Sequence, residues 1–559
     1  MKLFISISFF FWITFVTKAQ NNYDVAQYFN SLQNAKNLFA QKLWKEAAVE
    51  SEKVLAINSL QGNIWYNLAT SYYNTKEYQK AIFAYQKSTE LKYFQQADAL
   101  YNIACCFALL NKKDSALYYL EKVSSKNPGY RRSAQGDLDF KSVKEEAKFK
   151  AITGDVNVSN LSREEGWKYD LKLFSNEFKK VHYAPFQQIT EKQFDQNIAQ
   201  IISKINQLTD MQLTVELMKI LRRSADAHSG VFANFKTAIP LQFYLFADGV
   251  YIISADKKYA NLVGSKVLNV GNSDIANILS TFNKIIPLDN ENGQVAKVLS
   301  AEFIRIPAFL KALNFINKEE NVSLRIEDLE GKTKDIEVKA DASNVFILHS
   351  LPHPEGWASI RDRLSEKMPL YLRDPANPYW FEYLNAEKTI YFQYNSVRNN
   401  PKNDFKTFLN ELSKFIDQND VEKLVLDLRW NNGGNTYLLP PLLQTILQHE
   451  KINREDKLFC IIGRRTFSAA QNLTSLIERF TNATLVGEPA GSSPNFIGED
   501  SPFILPYSKL SVNFSNLYWQ TSTPTDKRSF TAPELLIVPT FADYKIGKDR
   551  CLESIFKLK

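Results

Sequence analysis

The feature that constrains this chain most is an internal repeat near its beginning. Between residues ~25 and 130, small residues recur at a spacing near 34 residues. They fall in two phases: Ala35, Ala69 and Ala104, then Ala47, Ala81 and Ala116. Bulky Trp44 and Tyr78 each stand shortly before the second alanine of their unit. This period, with amphipathic spacing, predicts stacked helix pairs that each bury one face against a neighbour.

Over residues 20–145 the repeat resembles the tetratricopeptide helix pair. Asn127-Pro128-Gly129 interrupts the pattern after the third unit. The resemblance implies an α-helical array whose concave face binds an extended peptide or a partner protein. A spacer or a dimerisation arm has the same pattern, so the sequence does not identify the partner.

The length of the chain requires more than this array. At 559 residues it exceeds what one hydrophobic core supports, so several domains are expected. Hydrophobic residues make up 45% and charged residues 23%, a globular composition that argues against extensive disorder. The net charge of +7 is spread along the chain, and no basic run is interleaved with aromatic residues. We therefore expect no nucleic-acid partner.

Cysteine usage argues against a disulfide scaffold and a cysteine metal site. The four cysteines, Cys105, Cys106, Cys460 and Cys551, have no metal-ligand spacing such as C-x-x-C. Adjacent Cys105 and Cys106 lie in a helical stretch and are interpreted as core packing. No metal or organic cofactor is expected.

The first residues, 1–19, have the pattern of a secretory signal. Lys2 precedes an apolar run from Leu3 to Val16, and Ala19 offers a small residue for cleavage. An uncleaved membrane anchor is the alternative, because the run is strongly apolar. No later run approaches the ~20 apolar residues of a transmembrane helix. The mature protein is expected to be soluble, in the periplasm or secreted.

The middle of the chain changes character twice. Residues 160–235 are predicted to be helical, and residues 236–346 to be β-rich, with strands at Gly249 to Ile253 and Ser265 to Val270. The second strand and the turn after it weakly resemble the end of a PDZ-like unit, and another small β-domain has the same pattern. Several prolines between residues 352 and 378 then mark an irregular connection.

Residues 375–559 alternate strands and helices, which predicts a layered α/β domain. The strand at Leu424 to Leu428 leads into a turn that contains Gly433 and Gly434. Paired glycines let the backbone adopt positive φ and direct N–H groups at an oxyanion. Any turn between a strand and a helix can have this composition, so the pair is weak evidence alone.

A second strand, turn and helix follow about thirty residues later, and Ser468 opens the helix. A serine at a helix N-terminus has free N–H groups and the positive end of the helix dipole beside it. An alkoxide or a tetrahedral oxyanion is stabilised in that position. The common alternative is a serine that only caps the helix.

Three motifs occur in a fixed order, Arg429 to Asn435, Arg465 to Gln471 and Leu485 to Gly491. Together they resemble the catalytic core of the tail-specific (C-terminal processing) and tricorn-type serine proteases. The resemblance is strong over roughly a third of the chain and weaker over residues 163–346. It implies a spiral of ββα units, as in crotonases and the Clp peptidase. It also implies that Ser468 is the nucleophile, with an oxyanion hole formed by the N–H groups of Ala469 and of Gly433 or Gly434.

The resemblance leaves the base and the acid to be assigned. Residues 491–498, where C-terminal processing members carry a catalytic lysine, contain none, so the tricorn-type pattern implies His228 as the base. Asp526 is the best positional match for its acid, and Glu499 is the rival. Ala227 stands where a tricorn-type enzyme has a serine.

The resemblance implies an exported serine endopeptidase that acts on unfolded protein tails or peptides. An inactive peptide-binding scaffold with the same fold remains the alternative. A crotonase-like acyl-CoA enzyme would share the spiral, but the predicted export argues against it.

Overall fold

The computed structural model describes residues 25–154, 158–341, 354–364, 368–499 and 501–558. The chain divides into two compact units, Met1–Asp155 and Val156–Lys559. The predicted signal segment, residues 1–19, lies outside the described residues. In the described ranges we find no helix that is long and apolar enough to cross a membrane.

The first unit is a helical array that follows the repeat. Consecutive helices pack against each other, and all six alanines of the two phases are at most 2% exposed. Small side chains at these contacts let neighbouring helices approach closely, which confirms the predicted repeat. Cys105 and Cys106 are buried in the same cores. The helices are α1 (Val25–Ala40), α2 (Trp44–Ile57), α3 (Gly62–Asn74), α4 (Tyr78–Glu90), α5 (Gln96–Leu109), α6 (Lys113–Ser124), α7 (Gly129–Gly136) and α8 (Ala147–Thr153), with a 3-10 turn at Leu138–Ser142.

The second unit opens with the predicted helical region. It contains α9 (Arg163–Val181), α10 (Glu191–Ser203) and α11 (Asp210–Leu221). Each of these helices begins at a capping box, in which Ser162, Thr190 or Thr209 bonds the third residue of its helix. A 3-10 turn at Arg222–Ser224 and strand β1 (Gly230–Phe232) follow.

An antiparallel sheet forms the β-rich region. Its order is β2–β3–β4–β6–β7, with β5 on β4 and β8 on β3. The two strands predicted here are confirmed, and the PDZ-like assignment stays a prediction. The strands are β2 (Leu241–Phe246), β3 (Gly249–Asp256), β4 (Lys266–Val270), β5 (Ser273–Asp274), β6 (Asn321–Glu327), β7 (Thr333–Lys339) and β8 (Trp357–Ser359); the helices are α12 (Ile275–Asn283), α13 (Gln294–Phe303) and α14 (Pro307–Ala312), with 3-10 turns at Lys257–Leu262 and Ile360–Leu364.

The C-terminal region is built on a sheet in the order β18–β13–β12–β11–β10–β9, parallel except for β9. Two smaller sheets have the order β1–β16–β15 and β14–β17. The strands are β9 (Tyr379–Leu384), β10 (Thr389–Tyr394), β11 (Lys423–Asp427), β12 (Leu458–Ile462), β13 (Thr484–Gly487), β14 (Asn495–Gly498), β15 (Pro502–Ile504), β16 (Ser511–Asn513), β17 (Leu517–Gln520) and β18 (Leu535–Leu536). The helices are α15 (Leu370–Arg373), α16 (Phe405–Gln418), α17 (Leu439–Gln448), α18 (Ala469–Phe480), α19 (Phe541–Tyr544) and α20 (Arg550–Lys557), with a 3-10 turn at Thr436–Leu438.

Alternate residues of the central strands face two different helical layers. Leu424 and Leu426 of β11 join the core under α16, α17 and α18, whereas Val425 joins the core under α20. A parallel sheet buried on both faces is the usual arrangement of an α/β domain. The expectation of a helical array followed by an α/β region is therefore confirmed.

One further core holds the rest of the second unit together. It contains side chains from α9 to α11, from the β-rich sheet and from the segment around β15 and β16, including Phe174, Phe243 and Phe514. The loops before β1, after α12 and after β12 are distant in sequence, and all three belong to this second compact unit. Those loops carry the candidate site.

Candidate active site

The site lies where two neighbouring parallel strands, β11 and β12, end. Their turns are bonded to each other: Thr466 Oγ1 donates to the Leu428 carbonyl at 2.9 Å. The N–H of Phe467 donates to the Asn431 carbonyl at 3.1 Å. Carboxyl ends of adjacent parallel strands meet at one edge of a sheet, so the topology brings the glycine turn to the start of α18.

Ser468 occupies the N-cap position of α18 in an unusual conformation. Its φ of 55° and ψ of −123° lie in a region that residues other than glycine rarely adopt. Its side chain makes no capping hydrogen bond. In contrast, Ser162, Asp274 and Asp404 each have φ near −60° and accept a bond from their helix. The role of a simple helix cap therefore does not account for Ser468.

The glycine turn is pressed against Ser468. Gly433 has a φ of 101°, and a Cβ there would lie 2.7 Å from the Ser468 Cβ and 2.8 Å from the Ala469 nitrogen. Gly434 has a φ of 138°, and its Cβ would lie 2.2 Å from the Val397 carbonyl oxygen. Only glycine satisfies both the conformation and the space at these two positions.

The two glycines differ in the use of their N–H groups. The Gly433 N–H donates to Asn431 Oδ1 at 2.9 Å. Within the described part of the chain, neither the Gly434 N–H nor the Ala469 N–H has a hydrogen-bond acceptor. Both are thus available to an oxygen beside Ser468.

A third turn, after β13, supports the backbone of the serine. The N–H of Ser468 donates to Ser492 Oγ at 3.2 Å, and the N–H of Gly491 donates to the Thr466 carbonyl at 2.9 Å. The start of the turn is held by a buried ion pair, in which Arg464 Nε and Nη2 donate to Glu488 at 3.0 and 2.6 Å.

His228 reaches this site from the loop before β1. Its ring stacks on Phe467, the residue before Ser468, with the ring centroids 4.3 Å apart, and on Phe496 at 5.0 Å. Asn513 Nδ2 donates to the His228 carbonyl at 2.8 Å. The structure therefore brings His228 and Ser468, 240 positions apart in the sequence, to one site.

Asp226 lies beneath His228 and is fully buried. Its Oδ1 accepts the N–H of His228 at 2.8 Å and lies 3.9 Å from His228 Nδ1. Because His182 Nδ1 accepts the N–H of Ala184, the hydrogen of His182 is on Nε2, which donates to Asp226 at 3.2 Å. Burial alone would raise the pKa of Asp226, but the hydrogen bond from His182, with a further bond from Ser229, holds it below its usual value.

A second buried carboxyl group, Asp289, completes the cluster. Asp226, His228 and Asp289 each have one side-chain oxygen or nitrogen atom in this cluster, and the three atoms lie within 4.8 Å of one another. Burial, and then the charge of Asp226, raise the pKa of Asp289 to about 7. Asp289 was missed in the sequence analysis because it lies in the β-rich region, far from the three motifs. Asp226 stands two residues before His228 and could have been found from that spacing.

The two carboxyl groups proposed from sequence position, Asp526 and Glu499, have surroundings different from those of Asp226 and Asp289. Asp526 accepts bonds from Arg528 and Ser522, and Arg528 also binds Glu478. These bonds, first that of Arg528, hold the pKa of Asp526 well below its usual range. Within the described residues, no hydrogen bond or ion pair joins Asp526 to His228. Glu499 is exposed after β14.

Comparison with known families divides the chain in the same way. Residues 62–93 and 98–130 match the tetratricopeptide repeat, and residues 388–457 match peptidase family S41. The S41 match includes Gly433 and Gly434 and ends before Ser468. None of the curated proteins matches the chain.

Several solved structures are similar to it. Mature CPAF is 13% identical, with 71% of this chain and 97% of that chain covered and a TM-score of 0.47. The photosystem II D1 C-terminal processing protease is 10% identical, with 70% and 98% covered and a TM-score of 0.32. The tricorn protease is 11% identical, with 70% and 36% covered and a TM-score of 0.30.

Proposed function

We propose that this serine peptidase cleaves peptide bonds through an acyl-enzyme on Ser468. Its peptidase family S41 region follows a tetratricopeptide array in the sequence. The observation that carries the proposal is the conformation of Ser468. A serine held at positive φ, on a turn between a strand and a helix, presents its hydroxyl away from the helix backbone. Such strain costs about 1–3 kcal/mol and persists where the surroundings impose it, which is common at active sites.

The reaction follows from the groups around this hydroxyl. Ser468 Oγ attacks the substrate carbonyl carbon while His228 accepts the hydroxyl proton. The carbonyl oxygen becomes an oxyanion, for which the N–H groups of Ala469 and Gly434 are the available donors. When the C–N bond breaks, His228 returns the proton to the leaving amine, and a water molecule then hydrolyses the ester at Ser468 by the same steps.

The acid that supports His228 is proposed to be Asp226 rather than Asp526. Asp226 bonds the His228 backbone and remains ionised, so it stabilises the imidazolium that forms during attack. The carboxylate of Asp526 is already engaged by Arg528 and Ser522. Ala227 carries no side-chain hydroxyl, and its N–H is used instead, as a donor to Asp289.

Substrate and location belong to the same proposal. The predicted signal at residues 1–19 supports a site of action in the periplasm or outside the cell. The substrate is proposed to be an unfolded protein tail or a peptide, because the scissile bond must lie extended beside Ser468. The helical array would recruit this substrate or a partner protein.

The proposal is tested by labelling with a fluorophosphonate, which reacts with activated serines. Wild type should gain one adduct by intact mass, and Ser468→Ala and His228→Ala should gain none. Ser162→Ala is the matched control, because Ser162 is an ordinary N-cap serine, and it should label like wild type. A wild type that does not react, in a folded preparation, would contradict the proposal and favour an inactive peptide-binding scaffold.

A further inference from the structure

The loop between α12 and α13 enters the active site from the β-rich region. Asn290 and Glu291 have φ of 44° and 68°, so the loop turns sharply just after Asp289. Asp289 itself is 2% exposed and Asn292 is fully buried. A loop with buried polar residues and two strained positions is held in place by specific contacts.

Those contacts reach two other segments of the second unit. Asp289 Oδ1 accepts the N–H of Ala227 at 2.7 Å, and Oδ2 accepts the N–H of Ser493 at 3.3 Å. Asn292 Nδ2 donates to the Ala490 carbonyl at 2.9 Å. Asp289 therefore bridges the turn that carries His228 and the turn that follows β13.

The turn that Asp289 holds also contacts the nucleophile. Ser492, the residue before Ser493, accepts the N–H of Ser468 at its Oγ, at 3.2 Å. The contact of Asp289 with the Ser493 N–H and the contact of Ser492 with Ser468 therefore connect the loop that carries His228 to the nucleophile.

We propose that Asp289 is a positioning residue of the peptidase: its buried carboxyl group holds the turn that carries His228 to the turn after β13, and this contact weakens when Asp289 becomes a second anion beside Asp226. The inference rests on the proposed function, since it concerns how Ser468 and His228 are held. It adds a role for the β-rich region, which supplies a residue to the site.

Burial and the charge of Asp226 oppose the ionisation of Asp289, and they outweigh the N–H donors of Ala227 and Ser493, which favour the anion. Asp226 and His228 face it from the loop before β1, with His182 behind Asp226. The turn after β13 offers it only N–H and hydroxyl groups, and on its own loop Glu291 is paired with Arg222. Ionising Asp289 places a second anion beside buried Asp226, which is unfavourable in a site closed to water. The pKa of Asp289, about 7, sets the pH at which this happens.

The test is the fluorophosphonate labelling rate of Ser468 between pH 5.5 and 9. The wild-type rate should fall above pH ~7, by up to about tenfold per pH unit, as Asp289 ionises. Asp289→Asn, which resembles the neutral acid, should label within about threefold of wild type at pH 6.5 and show no alkaline fall. Asp289→Ala should be slower by about tenfold or more at every pH, because the N–H groups of Ala227 and Ser493 lose their acceptor. Asp274→Asn, at the cap of α12, is the matched control and should retain the wild-type profile.

Thermal unfolding is a second test of the role of Asp289, and it does not depend on peptidase activity. The folded pKa of Asp289 is raised above its unfolded value of about 4, so its stabilising effect is lost as pH rises from 4 to 7. The melting temperature of Asp289→Asn, relative to wild type, should therefore rise over this range and level off above it. If Asp289→Asn follows wild type in both profiles, the positioning role is refuted while the peptidase assignment stands. If wild type does not label but the unfolding difference appears, the proposed reaction fails and the buried neutral acid remains.

Discussion

Replacing Gly433 by alanine tests whether the glycine turn and Ser468 form one unit. The added Cβ would lie 2.7 Å from the Ser468 Cβ, 2.8 Å from the Ala469 nitrogen and 2.8 Å from the Phe467 oxygen. Two of these atoms are backbone, so the contact cannot be relieved by a side-chain rotation. Either the glycine turn or the start of α18 must move.

Gly433→Ala should change both the stability of the protein and the labelling rate of Ser468. Placing alanine at a φ of 101° costs about 1–2 kcal/mol, and overpacking costs about 1–3 kcal/mol, which gives about 2–5 kcal/mol of lost stability. A shift of the Ala469 N–H away from the oxyanion would slow labelling of Ser468 by about 10²–10³-fold. Both effects arise from one methyl group.

The assay combines urea unfolding with the fluorophosphonate labelling rate. Gly331→Ala is the matched control, because Gly331 has a φ of 79° but no atom within 4 Å of the added Cβ. It should lose about 1 kcal/mol and label at the wild-type rate. A Gly433→Ala variant that labels like wild type, or is no less stable than Gly331→Ala, would refute the coupling.

The remaining predictions concern charges. Asp226→Asn should slow the labelling of Ser468 by about 10²–10⁴-fold, whereas Asp526→Asn should leave the labelling rate within about threefold of wild type. If Asp526→Asn is the slower of the two variants, Asp526 is the acid that supports His228. Arg464→Met should cost about 3–5 kcal/mol in urea unfolding, because it leaves the carboxylate of Glu488 buried and unpaired. Arg325→Met, which breaks an exposed pair, should shift the urea midpoint little, and equal shifts would contradict the argument.

The parts of the fold that were predicted from sequence depend on local patterns. Buried alanines such as Ala69 and Ala81 recur because each helix pair repeats the same contact, so the period is visible in the sequence. The strand, turn and helix around Ser468 could likewise be read from an apolar run followed by a polar turn and an amphipathic stretch. These elements formed where they were expected.

The parts of the site that were missed depend on distant contacts. Ser468 has a positive φ where it contacts Gly433 and the turn after β13, both distant in sequence, so no local residue preference indicates it. Asp289 contacts Ala227, 62 positions away in the sequence, and Ser493, 204 positions away. A short sequence motif cannot predict contacts over such separations. Asp526 was proposed as the acid from its position before the C-terminal turn and stays a prediction; position alone did not indicate that Arg528, two residues further on, binds its carboxylate.

The most direct measurement is a crystal structure of the fluorophosphonate adduct. We predict a covalent bond from Ser468 Oγ to phosphorus, with a phosphoryl oxygen about 2.7–3.1 Å from the N–H groups of Ala469 and Gly434. An adduct on another residue, or on Ser468 with its phosphoryl oxygen directed away from both N–H groups, would contradict the proposed active site.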